Sequence, residues 1–413
     1  MKNKINSRVM KENNALLILD TIMRQGPISR SDLTQLVGLS QASVINITNE
    51  LLSAELVEQV GTTSGPNQGR RAMVLDIKSD CFYYLCLVLR VEEMACGIID
   101  MRGNVLGTVG IEYPAKLTSE ELLNEAERMF AELLRENKKS KTDILGVGIG
   151  APGPLDVQNG ILINPPNFPH LQNFAFREKL EERLKLPVCL DKETNLAALA
   201  ECCYGMAKNY KTSFFISVFN LGIGGGLISD GKVFHGFRDG AGEIGHMTVD
   251  PAGRICGCGN YGCLETMIAE DYVVSEVKKM LKMGIGDLGA EDMSSLTLQD
   301  IFSRSHFSEM SAFRIAVDKM VSYLSLAIGN IINLYSPELI TIGGTIPEMD
   351  CLFVEQVAEK VHKRAYPSHC KNVVIKQCEF GKDVFLKGGA ALAQEKFLLH
   401  ALPQNLIHAP GDR

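Results

Sequence analysis

Three cysteines and one histidine stand close together in the sequence, with a spacing suited to a metal ion. Cys256, Cys258 and Cys263 lie in the stretch RICGCGNYGCLET, and His246 lies just upstream in AGEIGHMTVD. Thiolate sulfur and imidazole nitrogen are common zinc ligands, and four protein ligands complete a tetrahedral shell. Because no position remains for an activated water, the pattern predicts a structural zinc ion rather than a catalytic one. The alternative is a glycine-rich loop with free cysteines.

The composition is typical of a globular protein that keeps its cysteines reduced. Of the 413 residues, 46% are hydrophobic and 22% are charged, and the formal net charge of −7 argues against a wholly basic nucleic-acid coat protein. The length predicts two or three domains. The N-terminus lacks the apolar stretch of a signal peptide, and the longest purely apolar run, CFYYLCLVL, is too short to span a bilayer. Twelve cysteines in such a chain predict a cytoplasmic protein with no membrane partner.

Residues 1–80 have the pattern of a winged helix-turn-helix domain. Two short helices, capped by Ser29 and Ser40 and separated by Gly38, are predicted to form the helix-turn-helix. An amphipathic helix precedes them in NNALLILDTIMRQG. Its buried face is predicted to contain Leu16, Leu17, Ile22 and Met23.

The second short helix, LSQASVINITNELLS, is predicted to be the one that reads DNA. Asparagine and glutamine side chains can bond adenine with two hydrogen bonds in the major groove. The wing that follows carries Arg70 and Arg71, which are placed to contact phosphates. A helical module that binds another protein is the alternative for this domain. The outward face of the helix is predicted to contain Gln41, Ala42, Ser43, Asn46 and Asn49.

From about residue 81 the sequence alternates between strands and helices. Two similar units, each with strand hairpins and crossover helices, predict a two-lobed α/β protein with a cleft between the lobes. We expect a small lobe over residues 81–193, completed by a C-terminal helix at about 388–413. A large lobe that contains the metal loop is expected over residues 194–387.

Four motifs of this region together resemble the ROK family, which holds sugar kinases and sugar-responsive repressors on an actin/hexokinase-like fold. The motifs are GIGAPGPLD, INPPNFP, GEIGHMTV and CGCGNYGCLE, and the resemblance covers residues 81–400. The N-terminal winged helix resembles the repressor branch of xylose and N-acetylglucosamine type regulators. The resemblance therefore implies an N-terminal winged helix-turn-helix joined to a two-lobed α/β ROK domain.

The resemblance also implies which residues bind ligands. The family places zinc on the residues that match His246, Cys256, Cys258 and Cys263, where the metal orients a sugar-binding loop. Carboxylates suit a sugar because each accepts hydrogen bonds from two neighbouring hydroxyls. Asn195 and the loop at 150–153 are further candidates. The residues implied for sugar binding are Asn167, Glu193, Glu243, His246 and Glu265.

Three departures from the kinases of the family argue against phosphoryl transfer. Their D-x-G-G-T phosphate turn is replaced by LVLRV, with Leu87 at the aspartate and with Leu89 and Arg90 at the glycines. Side chains at a turn keep its N–H groups away from a phosphate. The second phosphate loop, NLGIGGG at 220–226, lacks its threonine, and the catalytic aspartate is replaced by Glu193. We expect sugar binding without catalysis.

These inferences predict a sugar-responsive transcriptional regulator, a repressor of carbohydrate-use genes, that is not an enzyme. Its expected partners are double-stranded operator DNA, a small sugar or sugar phosphate, and further copies of itself in a homodimer or homotetramer. One alternative is an active ATP-dependent ROK sugar kinase with an N-terminal appendage. Another is a scaffold whose N-terminal domain binds a protein rather than DNA.

Overall fold

The computed structural model describes residues 7–63, 72–91, 93–112, 114–219, 222–286, 293–306, 311–364, 372–403 and 406. The chain divides into two compact units. The first unit contains Met1–Glu193 and Phe385–Arg413, and the second contains Thr194–Val384. The N-terminal winged helix thus belongs to the same unit as the first α/β sheet.

The first unit begins with a winged helix-turn-helix. Ser29 Oγ accepts a hydrogen bond from Asp32 N (3.1 Å) at the start of the second helix, and Gly38 ends that helix with a φ of 66°. Ser40 Oγ accepts from Ser43 N (3.2 Å) at the start of the third helix. The predicted caps are confirmed. The elements are α1 (Ser7–Gln25), β1 (Ile28–Ser29), α2 (Arg30–Val37), α3 (Gln41–Ser53), β2 (Val57–Thr63) and β3 (Ala72–Ile77).

The buried face of α1 is shifted by about one residue along the helix from the face that the sequence predicts. Leu17 is 44% exposed, and Leu16 and Met23 are half-buried. The run ALLIL offers two overlapping apolar faces, so periodicity alone does not distinguish them, and contacts with α2, α3 and β3 decide which face is covered. The buried face of α1 consists of Ala15, Ile18, Leu19 and Ile22.

The α/β part of the first unit is a five-stranded sheet with the strand order β10-β7-β4-β5-β6. Strands β4, β5 and β6 form antiparallel hairpins, whereas β7 and β10 run parallel to β4 and require helical crossovers. The elements are β4 (Tyr83–Leu89), β5 (Glu93–Asp100), β6 (Val105–Glu112), α4 (Ser119–Glu136), β7 (Ile144–Ala151), β8 (Leu155–Asp156), β9 (Ile161–Leu162), α5 (Phe176–Leu184) and β10 (Val188–Lys192).

The second unit repeats this topology in a sheet with the strand order β13-β12-β11-β14-β15. Again the first strand lies in the middle, with hairpins on one side and parallel strands on the other. The predicted internal similarity is therefore confirmed. The elements are α6 (Glu193–Tyr204), β11 (Thr212–Phe219), β12 (Gly222–Ser229), β13 (Lys232–Val233), α7 (Leu264–Ile268), α8 (Glu270–Lys282), α9 (Leu298–Ser305), α10 (Ala312–Tyr335), β14 (Leu339–Gly343), α11 (Thr345–Met349), α12 (Phe353–Arg364) and β15 (Val374–Gln377).

Helix α10 is the central helix of the second unit. It is long and apolar enough to cross a membrane, and 61% of its most apolar window is buried. Its buried residues belong to the core cluster that also contains residues of β11, β14 and α12. Burial against these elements explains its apolar composition, as expected for the core helix of a globular unit.

The chain returns to the first unit through α13 (Asp383–Phe397). This helix begins about five residues before the predicted C-terminal helix at about 388–413 and ends at Phe397, where a short 3-10 helix follows. It crosses β7 closely, since a Cβ atom at Gly148 would lie 2.0 Å from the carbonyl oxygen of Gly389. The paired glycines thus allow the helix backbone to approach the sheet.

Candidate functional site

The segment that carries Glu243 and His246 lies directly against the backbone of β12. A Cβ atom at Gly242 would lie 2.1 Å from the carbonyl oxygen of Gly225, and one at Gly245 would lie 2.2 Å from that of Ile223. Only glycine allows such an approach, and Gly242 also has a φ of 84°. The glycines on both sides of Glu243 therefore position its backbone against the sheet.

The cysteine loop is held by backbone hydrogen bonds. Cys256 N donates to Asn260 O (2.7 Å), Gly259 N donates to Cys256 O (2.9 Å), and Gly259 has a φ of 90°. At the far end of the loop, Leu264 N donates to Met247 O (2.9 Å). The loop is thereby attached to the segment that carries the histidine.

These contacts bring the four predicted metal ligands together. The ligand atoms of His246, Cys256, Cys258 and Cys263 all lie within 4.8 Å of one another. Cys258 Sγ lies 3.7 Å from Cys263 Sγ, and Cys256 Sγ lies 3.6 Å from His246 Nδ1. Ligands of tetrahedral zinc with Zn–S distances of about 2.3 Å stand about 3.8 Å apart. The chemistry and spacing of the four side chains therefore fit zinc.

The thiols of the cluster differ in their protonation. Burial and the neighbouring Glu265 carboxylate raise the pKa of Cys256, and burial raises the pKa of Cys263. The backbone N–H of Asn260 lowers the pKa of the exposed Cys258. Zinc binds the thiolate form, so a bound cation would stabilise the charge that burial opposes.

Glu265 lies beside the cluster at the start of α7. Its Oε1 accepts a hydrogen bond from the Cys256 thiol (3.0 Å) and lies 3.4 Å from His246 Nδ1. His246 is 41% exposed, and Glu243 is exposed as well. The three predicted sugar ligands of the second unit are thus concentrated on the 243–265 segment, and two of them remain accessible.

A cavity of about 240 Å³ lies beside Glu243 in the second unit. Its wall is mainly apolar, and sequence reasoning did not identify it because its residues come from four separate stretches of the chain. No short motif marks such a cavity. The residues that line it include Phe214, Leu227, Phe234, Glu243, Met247, Ile331, Leu334 and Tyr335.

The other two predicted sugar ligands belong to the first unit. Asn167 is exposed, beside the buried Phe168. Glu193 is half-buried and follows β10, whose last residue pairs with Ala151 at the end of β7. Glu193 and the predicted loop at 150–153 therefore extend from neighbouring parallel strands, while Asn195 is buried in α6. A role of these residues in sugar binding stays a prediction.

Comparison with known proteins agrees with this architecture. The sequence model described as ROK family matches residues 84–396. The chain belongs to the ROK family. It is 30% identical over 376 residues to the xylose repressor of Caldicellulosiruptor bescii, which covers 90% of this chain and 92% of that protein. It is 33% identical over 272 residues to the glucokinase of Halalkalibacterium halodurans, which covers 64% of this chain and 80% of that protein.

A solved structure extends the likeness to the whole fold. The crystal structure of a ROK family transcriptional regulator, a homolog of the Escherichia coli Mlc protein, superposes with a TM-score of 0.80 at 26% identity. The match covers 96% of this chain and 99% of that chain. It therefore extends into the N-terminal winged helix, beyond the residues that the family model matches.

The turn at the position of the first ROK phosphate loop is a tight hairpin between β4 and β5. Leu87 and Leu89 are fully buried, and Arg90 N donates to Glu93 O (2.9 Å). The Arg90 guanidinium forms an ion pair with Glu93 and lies 5.2 Å from the centre of the Phe385 ring. The arginine side chain thus fills the turn and is bound within the protein.

The second phosphate loop of ROK kinases corresponds to the hairpin between β11 and β12. Asn220 and Leu221 lie outside the described residues. Gly225 N donates to Gly242 O (2.9 Å), and a Cβ atom at Gly225 would lie 2.5 Å from the ring of Phe214. A Cβ at Gly226 would lie 2.4 Å from Thr194 O. These glycines are thus required for packing within the second unit, independently of any phosphate.

The predicted DNA-reading face of α3 is largely open to solvent. Gln41, Ala42, Asn46 and Asn49 are exposed, whereas Ser43 is half-buried and contributes to the cap of the helix. Asn49 Oδ1 accepts a hydrogen bond from Arg30 (2.5 Å). Arg70 and Arg71 lie outside the described residues, and their phosphate contacts stay a prediction.

Proposed function

We propose that this chain is a sugar-responsive transcriptional repressor without kinase activity. The observation that carries the proposal is a winged helix with an exposed polar α3 face, joined to a ROK domain whose first phosphate turn is filled by Arg90. The likeness to repressors over about nine tenths of the chain supports the same conclusion.

The metal in this proposal is a structural zinc ion. It would be held by His246 Nδ1 and by the sulfur atoms of Cys256, Cys258 and Cys263. When bound, zinc would act as a fixed tetrahedral centre that joins the 243–246 segment to the cysteine loop. Zinc on Nδ1 would leave that nitrogen without a proton for Glu265, so the Glu265 carboxylate would accept a hydrogen bond from a sugar hydroxyl.

Sugar binding is proposed at the 243–265 segment. Glu243 and Glu265 supply carboxylates, which accept hydrogen bonds from vicinal hydroxyls, and His246 supplies a ring nitrogen. Asn167 and Glu193 are proposed as additional ligands of the first unit. The names of repressor relatives make D-xylose and N-acetyl-D-glucosamine, free or phosphorylated, the first sugars to test.

DNA binding is proposed through α3 in the major groove, with Arg70 and Arg71 of the wing on phosphates. A homodimer or homotetramer would present two winged helices to a pseudo-palindromic operator. The sugar would act by binding more tightly to the arrangement in which the winged helices do not fit the operator.

The test begins with selection of duplexes from a random library by the full-length protein. The selected duplex should bind more tightly than random DNA, and one sugar of a panel should weaken binding by about 5- to 150-fold. The panel contains D-xylose, D-glucose and N-acetyl-D-glucosamine, each also as its terminal phosphate. If no sugar of the panel changes binding to the duplex, the signal that releases the protein from DNA is not a sugar bound in the ROK domain.

Two classes of variant distinguish contacts with DNA bases from contacts with DNA phosphates. Asn46→Ala should reduce discrimination between selected and random duplexes by about 1–3 kcal/mol. Arg70→Ala and Arg71→Ala should weaken binding to both duplexes and reduce its salt dependence. Equal binding of selected and random duplexes by the unaltered protein would instead favour the scaffold function.

An ATP-dependent sugar kinase is the second candidate, because the chain is 33% identical to a glucokinase over 64% of its length. With ATP, magnesium and the same free sugars, a coupled assay for ADP should show no turnover above background. A kcat of about 1 s⁻¹ or more, ordinary for an enzyme, would establish the kinase instead.

A further inference from the structure

The turn between β5 and β6 is a rigid element that contacts the winged helix. The Asp100 carboxylate is buried and accepts hydrogen bonds from the backbone N–H groups of Arg102 and Asn104, each at 2.9 Å. Its second oxygen accepts from the side-chain amide of Asn104 (2.9 Å). Three bonds to one carboxylate hold the turn in a single conformation.

Arg102 projects from this turn onto the base of the winged helix. Its guanidinium forms an ion pair with Asp76 of β3, whose side chain is only 4% exposed. Asp76 Oδ1 also accepts from Ile77 N (2.8 Å), and a Cβ at Gly26 would lie 2.5 Å from this oxygen. Asp76 therefore lies where β3 passes the end of α1, and the arginine neutralises a buried carboxylate there.

The same turn is also bound by α13. Lys387 Nζ donates a hydrogen bond to Gly103 O. One residue earlier, Leu386 packs against β5, since a Cβ at Gly97 would lie 3.1 Å from its Cδ1. Helix α13 starts at Asp383, and the chain passes from the second unit to the first between Val384 and Phe385. The helix that enters from the second unit thus contacts the turn within its first two helical turns.

We propose that Arg102 is a positioning residue for DNA binding, through which the 101–104 turn transmits the state of the second unit to the winged helix. The inference rests on the proposed function and names its regulation. A shift of α13 would move Gly103 through Lys387, and the rigid turn would move Arg102 with it. Separating Arg102 from Asp76 is unfavourable because a buried carboxylate would lose its partner. Each orientation of the winged helix would then correspond to one position of α13.

The winged helix has other attachments as well, because α1 also contacts the short 3-10 helix Leu398–Ala401 that follows α13. Met101 N donates to Ser79 O (3.1 Å), which fixes the connecting segment rather than the winged helix itself. Lys78 forms an ion pair with Glu55, where both side chains are at least one third exposed, and such pairs contribute little. Among the residues that the structure describes, the Asp76–Arg102 pair joins the winged helix to the first α/β sheet through a buried charge.

The test uses the full-length protein with Asp76→Asn, Arg102→Gln and both changes together. The double variant leaves no buried charge unpaired, and Arg24→Gln is the matched control, because it removes an exposed pair with Asp20 inside α1. Hydrogen exchange, which needs neither DNA nor sugar, should be about 10-fold or more faster in α1–α3 of the double variant than in the control. Equal exchange in both proteins would show that Arg102 does not position the winged helix.

The regulatory step is tested with the selected duplex and whichever panel sugar releases the unaltered protein. In the double variant the sugar should change the affinity for the duplex by less than about 2-fold. The affinity of the DNA-free double variant for the sugar should equal that of the unaltered protein. By reciprocity, the duplex should no longer change sugar affinity. An undiminished sugar response in the double variant would overturn the proposal.

Failure of the proposed function gives a different result. If the unaltered protein does not bind a selected duplex, or no panel sugar releases it, the repressor proposal fails while hydrogen exchange still decides the role of Arg102. If the unaltered protein responds and the double variant responds equally, only the role of Arg102 fails.

Discussion

The β4–β5 turn and the 243–265 segment differ in how closely they match the ROK pattern. At the β4–β5 turn, glycines are replaced by Leu89 and Arg90, and the arginine is bound to Glu93 and Phe385. In the 243–265 segment, the glycines, the carboxylates and the four predicted metal ligands are all present, and the atoms of those four that could bind a metal lie within 4.8 Å of one another.

The difference supports the proposal that sugar binding and phosphoryl transfer depend on separate parts of the ROK domain. Phosphoryl transfer depends on backbone N–H groups that approach a phosphate, which a filled hairpin prevents. The proposed sugar recognition depends instead on side-chain carboxylates of the 243–265 segment, which the β4–β5 turn does not contain. The β11–β12 hairpin is intermediate, because its glycines remain but are required for packing.

The largest expected effect is on the metal. Cys258→Ser should reduce zinc from about one ion per chain to none, because a serine hydroxyl does not replace a thiolate ligand. Metal analysis and a sugar titration measure this, and Cys351→Ser, a second exposed cysteine of the same unit, is the control. Loss of zinc with unchanged sugar affinity would show that the 243–265 segment holds its shape without the metal.

The next effect is on sugar affinity. Glu243→Gln should weaken sugar binding by about 10- to 150-fold, because a hydrogen bond to a charged group contributes about 1.5–3 kcal/mol. Glu359→Gln, an exposed glutamate of α12, should leave binding unchanged. Calorimetry with the panel sugars provides the measurement, and equal affinities for the two variants would place the sugar elsewhere.

A smaller effect tests why the β11–β12 glycines remain. Gly225→Ala should lower the free energy of unfolding by about 1–3 kcal/mol, because the new methyl would overlap the Phe214 ring. Gly222→Ala in the same strand should change it by less than about 0.5 kcal/mol, since nothing lies within 4 Å of the added atom. Denaturant titration compares the two, and similar values would contradict a packing role.

The smallest expected effect concerns the β4–β5 turn that contains Arg90. Arg90→Gln should lower the free energy of unfolding by about 1–2 kcal/mol through loss of the contacts with Glu93 and Phe385. Arg128→Gln, which removes a 50% exposed arginine from α4, should cost less than about 0.5 kcal/mol. Neither variant should turn over ATP, and turnover by Arg90→Gln alone would mean that the arginine is the main obstacle to catalysis.

Local signals in the sequence predicted much of this architecture. The caps at Ser29 and Ser40 were found because capping depends on residues three positions apart. The His/Cys cluster was predicted for a similar reason, since its four residues lie within one short stretch, and a metal ion in it stays a prediction. The buried face of α1 was predicted correctly at Ile22 but wrongly at Leu17, because tertiary contacts choose between two overlapping apolar faces.

Long-range contacts were beyond sequence reasoning. Arg90 on Phe385 and Arg102 on Asp76 each join residues that are distant in the chain, and no spacing rule connects them. The cavity beside Glu243 has the same origin, because its wall combines β11, β12 and α10. A single sequence indicates that Arg90 breaks the glycine pattern but not what the side chain contacts.

Because the chain is synthesised from its N-terminus, α10 is made before the elements that cover it. This 24-residue apolar helix is complete at Tyr335, but β14, α12 and β15, which pack in its core cluster, are made only by residue 377. At about 5–20 residues per second, the ribosome needs roughly 2–8 s to add the intervening residues. During that interval a membrane-length apolar segment stays partly uncovered on the nascent chain. Helix α10 is therefore a segment to which a chaperone would bind while the second unit is being translated.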